Sequence, residues 1–377
     1  MTYEQATART WLEVDEDALL ANYGEAKRLC GEGTTLIAVL KADAYGYGAR
    51  RVARVLYEQG ARHFAVACFS EASELREALP DAWILIMGAT PGVFLEDAIR
   101  MDLRLTVQTA QELRAISDTA VKYCKQTKVH IKLDTGLHRL GFACADEVPD
   151  LDAFPGVIVE GVFSHLALRS RAQSEEQFAR FIKETEVLKQ KNIPYSMLHI
   201  VDSIGLARYN GWKLGAARVG AFLYGNVPPD YVRFDQRRAV GKLITRVARI
   251  ETVRAGEGIG YDDTPLDRDC RVATLCAGYV DGYARALSGV GEVEIRGRRA
   301  KVLGLVCMDQ MMVDVTDIKE ARVDDQVILL GGGISLNEYA AWGRLNRNEA
   351  TAMIGRRVPR VYLRDGRVTE IADKMNG

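Results

Sequence analysis

Eight short apolar runs, rich in β-branched residues and separated by amphipathic stretches, recur along the chain as far as Val219, and this alternation limits the fold more than any other feature. The runs are Leu36–Leu40, Phe64–Ala67, Trp83–Met87, Leu105–Val107, Val129–Leu133, Val157–Phe163, Met197–Ile200 and Ala216–Val219. Unbroken apolar runs suit strands buried on both faces. Helical patterns lie between them at Ala49–Gln59, Ser70–Ala78, Ala110–Cys124 and Ser174–Lys191. Ser70, followed by acidic residues including Glu74, reads as an N-cap. Parallel strands need helical crossovers, so eight such units predict an α/β fold with an N-terminal TIM (β/α)8 barrel; a doubly wound sheet is the alternative.

The pattern changes after Pro228–Pro229. Short alternating strands broken by Gly and charged turns follow at Lys242–Arg254, Arg271–Cys276, Gly291–Ile295, Ala300–Val306, Met311–Val315 and Gln326–Leu330. This predicts a mostly-β second domain. Leu336–Arg356 reads as one or two helices and Val358–Leu363 as a closing strand. The boundary is set at 236/237, giving a barrel domain 1–236 and a β domain 237–377, with about the first ten residues free to pack on the β domain. Gly331–Gly332–Gly333 reads as a turn, since no Lys-Ser/Thr follows to make a phosphate loop.

Charge and cysteine content narrow the function classes. The 377 residues carry 50 Lys+Arg against 51 Asp+Glu, a net charge of −1, which makes no electrostatic case for nucleic acid as a partner. Seven cysteines (Cys30, Cys68, Cys124, Cys144, Cys270, Cys276 and Cys307) form no C-x-x-C pair, and nothing ahead of them reads as a signal peptide. A reduced, cytoplasmic setting follows. The longest apolar runs are about seven residues, far short of the ~18 of a membrane span. The five histidines are scattered, with no metal-ligand spacing, so no metal is expected.

Reactive residues fall at the ends of the predicted barrel strands. Lys41 follows the first run directly, His165 the sixth, and Asp202 and Ser203 the seventh; Arg218 and Gly220 close the eighth. In a barrel all of these reach the C-terminal face, where active sites are built. Each alone has a plain structural explanation; together they mark a site.

Three ordered segments then carry a resemblance: Lys41-Ala-Asp-Ala-Tyr-Gly-Tyr-Gly48, Lys132-Leu-Asp-Thr-Gly-Leu-His-Arg-Leu-Gly-Phe142 and Val306-Cys-Met-Asp-Gln310. They are similar to alanine racemases, pyridoxal 5'-phosphate enzymes of fold type III. The likeness extends from Thr10–Asp15 to Arg357–Tyr362. It implies a homodimer with shared active sites. Lys41 then matches the lysine that bonds to the cofactor aldehyde and serves as base on one face of the substrate Cα, and Tyr261 matches the opposite base, entered from the second subunit. His165 would bond Arg218 or orient Tyr261. Arg218 resembles the arginine facing the pyridine nitrogen, which holds its own proton and leaves that nitrogen largely unprotonated. Tyr45, Ser203, Gly220 and the Ala221 backbone match the phosphate cradle. Arg139 and Met308, with Cys307 and Asp309 beside it, match groups around the substrate carboxylate. Lys132 matches a lysine that is carboxylated in many members of the family.

Four positions depart from the family pattern. Tyr47 replaces a usual His and Leu137 a usual Met, Asp202 stands where Asn is usual, and Asn348 replaces the Tyr of a Tyr-Glu pair. An amide in place of a ring opens volume and offers hydrogen bonds to a substrate hydroxyl. This resembles the serine racemases of vancomycin-resistant bacteria, where a membrane domain precedes the cytosolic racemase. The expectation is therefore a racemase acting on L- and D-serine with alanine activity, supplying D-serine to peptidoglycan precursors, and lying in the cytoplasm or forming the cytosolic part of a membrane-anchored protein. The alternative is an alanine racemase supplying D-alanine. A non-catalytic cofactor-handling protein and a decarboxylase of the same fold type are more distant rivals.

Overall fold

A computed structural model describes residues 1–228 and 238–375. The 236/237 boundary expected from the sequence lies outside the described residues. Strand β1 (Trp11–Asp15) precedes the barrel strands β2 (Thr35–Val39), β3 (His63–Val66), β4 (Trp83–Ile86), β5 (Arg104–Val107), β6 (Thr127–Lys132), β7 (Val157–Phe163), β8 (Met197–His199) and β9 (Ala216–Val219). All eight apolar runs are strands, and β2 to β9 close into one barrel. Every neighbouring pair is parallel, and β2 meets β9 through Thr35↔Ala216 to Ala38↔Val219. Ile84, Leu85 and Ile86 on β4 are wholly buried, as a parallel strand covered by helices on one side and barrel core on the other requires.

Two helix starts differ from expectation. The helix Phe69–Ala78 is capped by Cys68 with no side-chain bond, so Ser70 lies inside it. Glu71 explains the shift, since its carboxylate accepts from the Ala67 and Ala42 amides and ties this turn to the Lys41 loop. The helix Arg171–Gln190 starts before Ser174 because Ser170 caps it through the Gln173 amide.

The second unit contains β10 (Gly241–Val253), the short hairpin β11 (Gly258–Ile259) and β12 (Thr264–Pro265), β13 (Cys270–Leu275), β14 (Glu292–Ile295), β15 (Arg298–Leu303), β16 (Met311–Asp314), β17 (Gln326–Leu330), β18 (Arg360–Arg364) and β19 (Arg367–Ala372). The larger sheet runs β13-β16-β15-β14-β17-β10-β1-β18-β19. Its β1 and β19 are not among the sequence-predicted strands. β1 is a short segment whose partners are remote in sequence: it pairs antiparallel with β10 and parallel with β18. β19 follows Asp365-Gly366, both at positive φ, an Asp-Gly hairpin signal that could have found it.

The N-terminus thus belongs to the β sheet before the chain enters the barrel. Trp11 and Ala6 pack with Ile244 and Val361. Arg9 and Arg357 both grip the wholly buried Asp281 carboxylate, Arg9 Nη1 at 2.6 Å and Arg357 Nε at 2.7 Å. Arg357 Nη1 reaches on to Asp309 at 2.6 Å. Two chain ends and the Met308–Asp309 turn are joined at one buried anion, where the guanidinium forks offset the cost of burying it.

Candidate active site

Directly after β2 the chain takes an uncommon path. Ala42, Asp43, Ala44 and Tyr45 all have φ between 53° and 59°, a left-handed turn that L-residues adopt only at a cost. The turn is held by Ala44 N–H donating to Leu40 O (2.8 Å) and Gly46 N–H to Ala42 O (2.9 Å). It puts Lys41 and Tyr45 on the wall of a cavity of about 340 Å3 at the C-terminal face of the barrel.

Lys41, Tyr45, Lys132, Arg139, His165, Asp202, Ser203, Arg218, Gly220, Ala221 and Asn348 all line this cavity. Met87 and Gly88 also line it; Met87 reads in the sequence only as the end of a strand and Gly88 as the residue after it, and nothing in their chemistry marks them. A larger cleft of about 830 Å3 lies behind the Lys41 loop. Several of its charges are paired, Arg51 with Glu370 and with Glu16 beyond the wall, and Lys374 with Asp43. In the smaller cavity Lys41, Lys132 and Arg139 converge without an ion pair among the described residues.

Burial, with Arg139 and Arg218 nearby, holds the Lys41 amine below its ordinary pKa. The Lys132 amine is lowered to about 7 by burial and by Arg218 and Arg139; its Nζ sits 4.6 Å from the Phe163 ring centre, over which Arg218 also lies at 5.2 Å. Arg218 is lowered to about 10, chiefly by burial, and so stays charged at neutral pH. Its Nη1 donates to His199 O (3.1 Å) and lies 2.6 Å from His199 Nδ1; its Nη2 donates to Ser164 O (2.7 Å) and Ile200 O (3.2 Å) and lies 3.3 Å from His165 Nδ1. The guanidinium is thereby locked in one orientation.

Behind Arg218 a line of bonds crosses the barrel core. His199 Nε2 meets His130 Nδ1 at 2.9 Å, and His130 Nε2 meets Glu160 Oε2 at 3.3 Å. Burial pushes both imidazoles down, which keeps them neutral. Burial raises the Glu160 carboxyl, but the His130 bond and the Arg104 charge outweigh it and set it at about 2.

Asp202 is largely committed to local structure. Its Oδ1 accepts from Ile204 N (3.0 Å) and Gly205 N (2.8 Å), capping the helix Ser203–Arg208. Burial raises its pKa. Ser203 Oγ accepts from Gly220 N (3.0 Å) and Phe222 N (3.2 Å), which leaves its own O–H free to donate. A Cβ on Gly220 would come within 2.3 Å of Tyr45 Oη, so only glycine lets these groups crowd together.

These residues fit a phosphorylated aldehyde cofactor. Ser203, Gly220 and Tyr45 form a compact cradle, and Lys41 offers an amine with lowered basicity. The cavity wall carries Lys41, Lys132, Arg139 and Arg218 against Asp202, an excess of positive charge suited to a phosphate and a substrate carboxylate.

Tyr261, Cys307, Met308 and Asp309 are not brought to this cavity within one chain. Tyr261 follows β11 and is 80% exposed; Met308 is 52% exposed. Cys307 is half-buried and free.

Among the described residues, no helix is long and apolar enough to cross a membrane, and no group of His, Cys, Asp and Glu could hold a metal ion.

Residues 14–228 match the alanine racemase N-terminal domain family, and residues 240–362 match the alanine racemase C-terminal domain family. The alanine racemase of Clostridium tetani is 35% identical, with 96% of this chain and 97% of that protein covered. The solved alanine racemase of Clostridium difficile superposes with a TM-score of 0.92 at 30% identity, covering 97% of this chain and 99% of that one. That of Bartonella henselae, with covalently bound pyridoxal phosphate, gives 0.85 at 28% identity over 94% and 99%. None of these names points to serine or to vancomycin resistance, so the finer expectation from Asn348 has no support from them. On this evidence the chain belongs to the alanine racemase family, whose enzymes use pyridoxal 5'-phosphate.

Proposed function

We propose that this protein is a pyridoxal-phosphate-dependent racemase that interconverts L- and D-alanine. The observation that carries this is a half-buried lysine of lowered basicity on the wall of a cavity otherwise dominated by cations. When bound, the cofactor supplies an electron-withdrawing ring that acidifies the substrate Cα–H. Lys41 Nζ, neutral in a larger fraction than an exposed amine, takes or returns a proton on one face of Cα. Tyr261 of a second copy serves the opposite face, and Met308 of that copy sits beside the substrate carboxylate held by Arg139. Arg218, locked by its acceptors, keeps its proton and donates toward the ring nitrogen.

The test is racemisation of L-alanine by the purified protein, followed by optical rotation. Lys41→Ala abolishes it together with the absorbance of lysine-bound cofactor. Tyr261→Phe abolishes racemisation in both directions, since enantiomers have an equilibrium constant of 1, but leaves solvent exchange of the Cα proton on the Lys41 face, seen with one enantiomer only. Activity surviving in Lys41→Ala would sink the proposal.

A second reading, serine as a substrate alongside alanine, rests on Asn348 at the cavity wall. There the product would serve peptidoglycan precursors ending in D-serine. Asn348→Tyr then shifts the kcat/KM ratio toward alanine; an unchanged ratio removes this reading.

A further inference from the structure

The loop after β9 carries a second asparagine, Asn226, which is 3% exposed and lies just behind the cavity. A buried amide needs partners for two donor hydrogens and one acceptor oxygen. Its Nδ2 donates to Asn348 Oδ1 (3.4 Å) and to Thr351 Oγ1 (3.2 Å). The Thr351 hydroxyl also reaches Asn348 O (3.4 Å) and bonds the Tyr47 phenol, and it receives from Asn226. The Asn226 amide thus turns its nitrogen toward the helix that carries Asn348 and Thr351. Its Oδ1 is buried without a partner, a cost of order 1–3 kcal/mol that an apolar residue here would avoid.

Asn348 is the link between that amide and the cavity. It lies in the helix Arg347–Ala352, contributed by the second domain, and is half-buried. Its backbone N–H goes to Asn346 Oδ1 (2.8 Å). With Oδ1 turned back to Asn226, the group left for the cavity is Nδ2, which has no hydrogen bond among the described residues. A fixed donor on the wall of a small-molecule site discriminates by what it meets. A hydroxyl or ether oxygen satisfies it, and a methyl group leaves it bare.

We infer that Asn226 is a positioning residue for substrate choice, holding the Asn348 amide so that the cavity presents an N–H donor to a hydroxylated small amino acid such as serine. This rests on the proposed racemase function and on Asn348 facing the substrate. Asn226 touches neither substrate nor cofactor; it acts through Asn348.

The experiment measures kcat and KM for L-alanine and L-serine in wild type, Asn226→Leu, Asn348→Ala and the double variant, with thermal stability and cofactor absorbance recorded for each. Wild type turns over both substrates. Asn226→Leu, close in volume but without polar atoms, lowers kcat/KM for serine about tenfold, mainly through KM, and changes alanine less than twofold. In the Asn348→Ala background the same change has no further effect on the serine-to-alanine ratio, because the amide it orients is gone. Should Asn226→Leu not fold, Asn226→Ala gives the same comparison without forcing a new contact. Equal losses on both substrates, or a ratio change that persists without the Asn348 amide, overturn the inference. A wild type active on alanine but inactive on serine overturns it while leaving the racemase function standing. A wild type inactive on both overturns the function itself.

Discussion

Lys132 shows how much a single side chain's surroundings decide. In the sequence it is a strand-ending lysine; in the fold it is 4% exposed, with Arg218 and Arg139 repelling its charge. A lysine ordinarily titrates near 10.5, and here the value is about 7. The sign follows from burial and repulsion both disfavouring the cation, so the amine is mostly neutral above pH 7 and mostly ammonium below it. Only the neutral amine adds to carbon dioxide. Wild type at pH 8 is therefore expected to show a protein-bound carbamate carbon resonance when supplied with 13C-bicarbonate. The signal fades below pH 7 and is absent in Lys132→Met. A pH-independent signal, or one retained in the variant, assigns the carbamate elsewhere. Arg139 makes no hydrogen bond among the described residues, so an anion at Lys132 would also give it a partner.

At the scale of the element, the turn after β2 is where local preference and fold disagree most. Four consecutive L-residues at φ near +55° cost about 1 kcal/mol or more each, and they are held there because Lys41 and Tyr45 must both face the cavity. Ala42 is exposed, so its replacement changes little packing. Ala42→Gly is expected to raise unfolding stability by about 1 kcal/mol, since glycine enters this region without a Cβ penalty. Ala42→Val is expected to lower it by at least as much, because a β-branched residue fits it worst. Urea unfolding of the three proteins checks the order. A midpoint that does not rise in Ala42→Gly would mean that the turn is not strained. Pattern in the sequence reveals the strand before this turn and the helix after it. It cannot reveal the turn, because Ala42, Ala44 and Tyr45 have no left-handed preference and the path is fixed by Leu40 O, Glu71 and the close approach of Thr351 O to Gly46.

At the scale of the whole molecule, one chain does not assemble every group the proposed chemistry uses. The barrel collects Lys41, Arg139 and Arg218, while Tyr261 stands 80% exposed on the β domain. If Tyr261 serves a second copy, two inactive variants complement each other. Lys41→Ala and Tyr261→Phe, mixed in equal amounts and allowed to exchange subunits, should recover about a quarter of wild-type activity per site, since half the dimers are mixed and each has one intact site. No recovery after verified exchange would place Tyr261 in service of its own chain.

The eight βα repeats, the switch to short strands and the strand-end positions of Lys41, His165, Ser203 and Arg218 are all legible in the sequence, because hydrophobic periodicity and strand-end placement are local properties. The pairing of β1 with β10 and β18, the burial that lowers Lys41 and Lys132, and the meeting of Asn226 with Asn348 were decided only by the tertiary structure. Each depends on groups brought together from distant parts of the chain. Electrostatic and hydrogen-bond strengths depend on what surrounds a group, and that is settled only when the two domains close on one another.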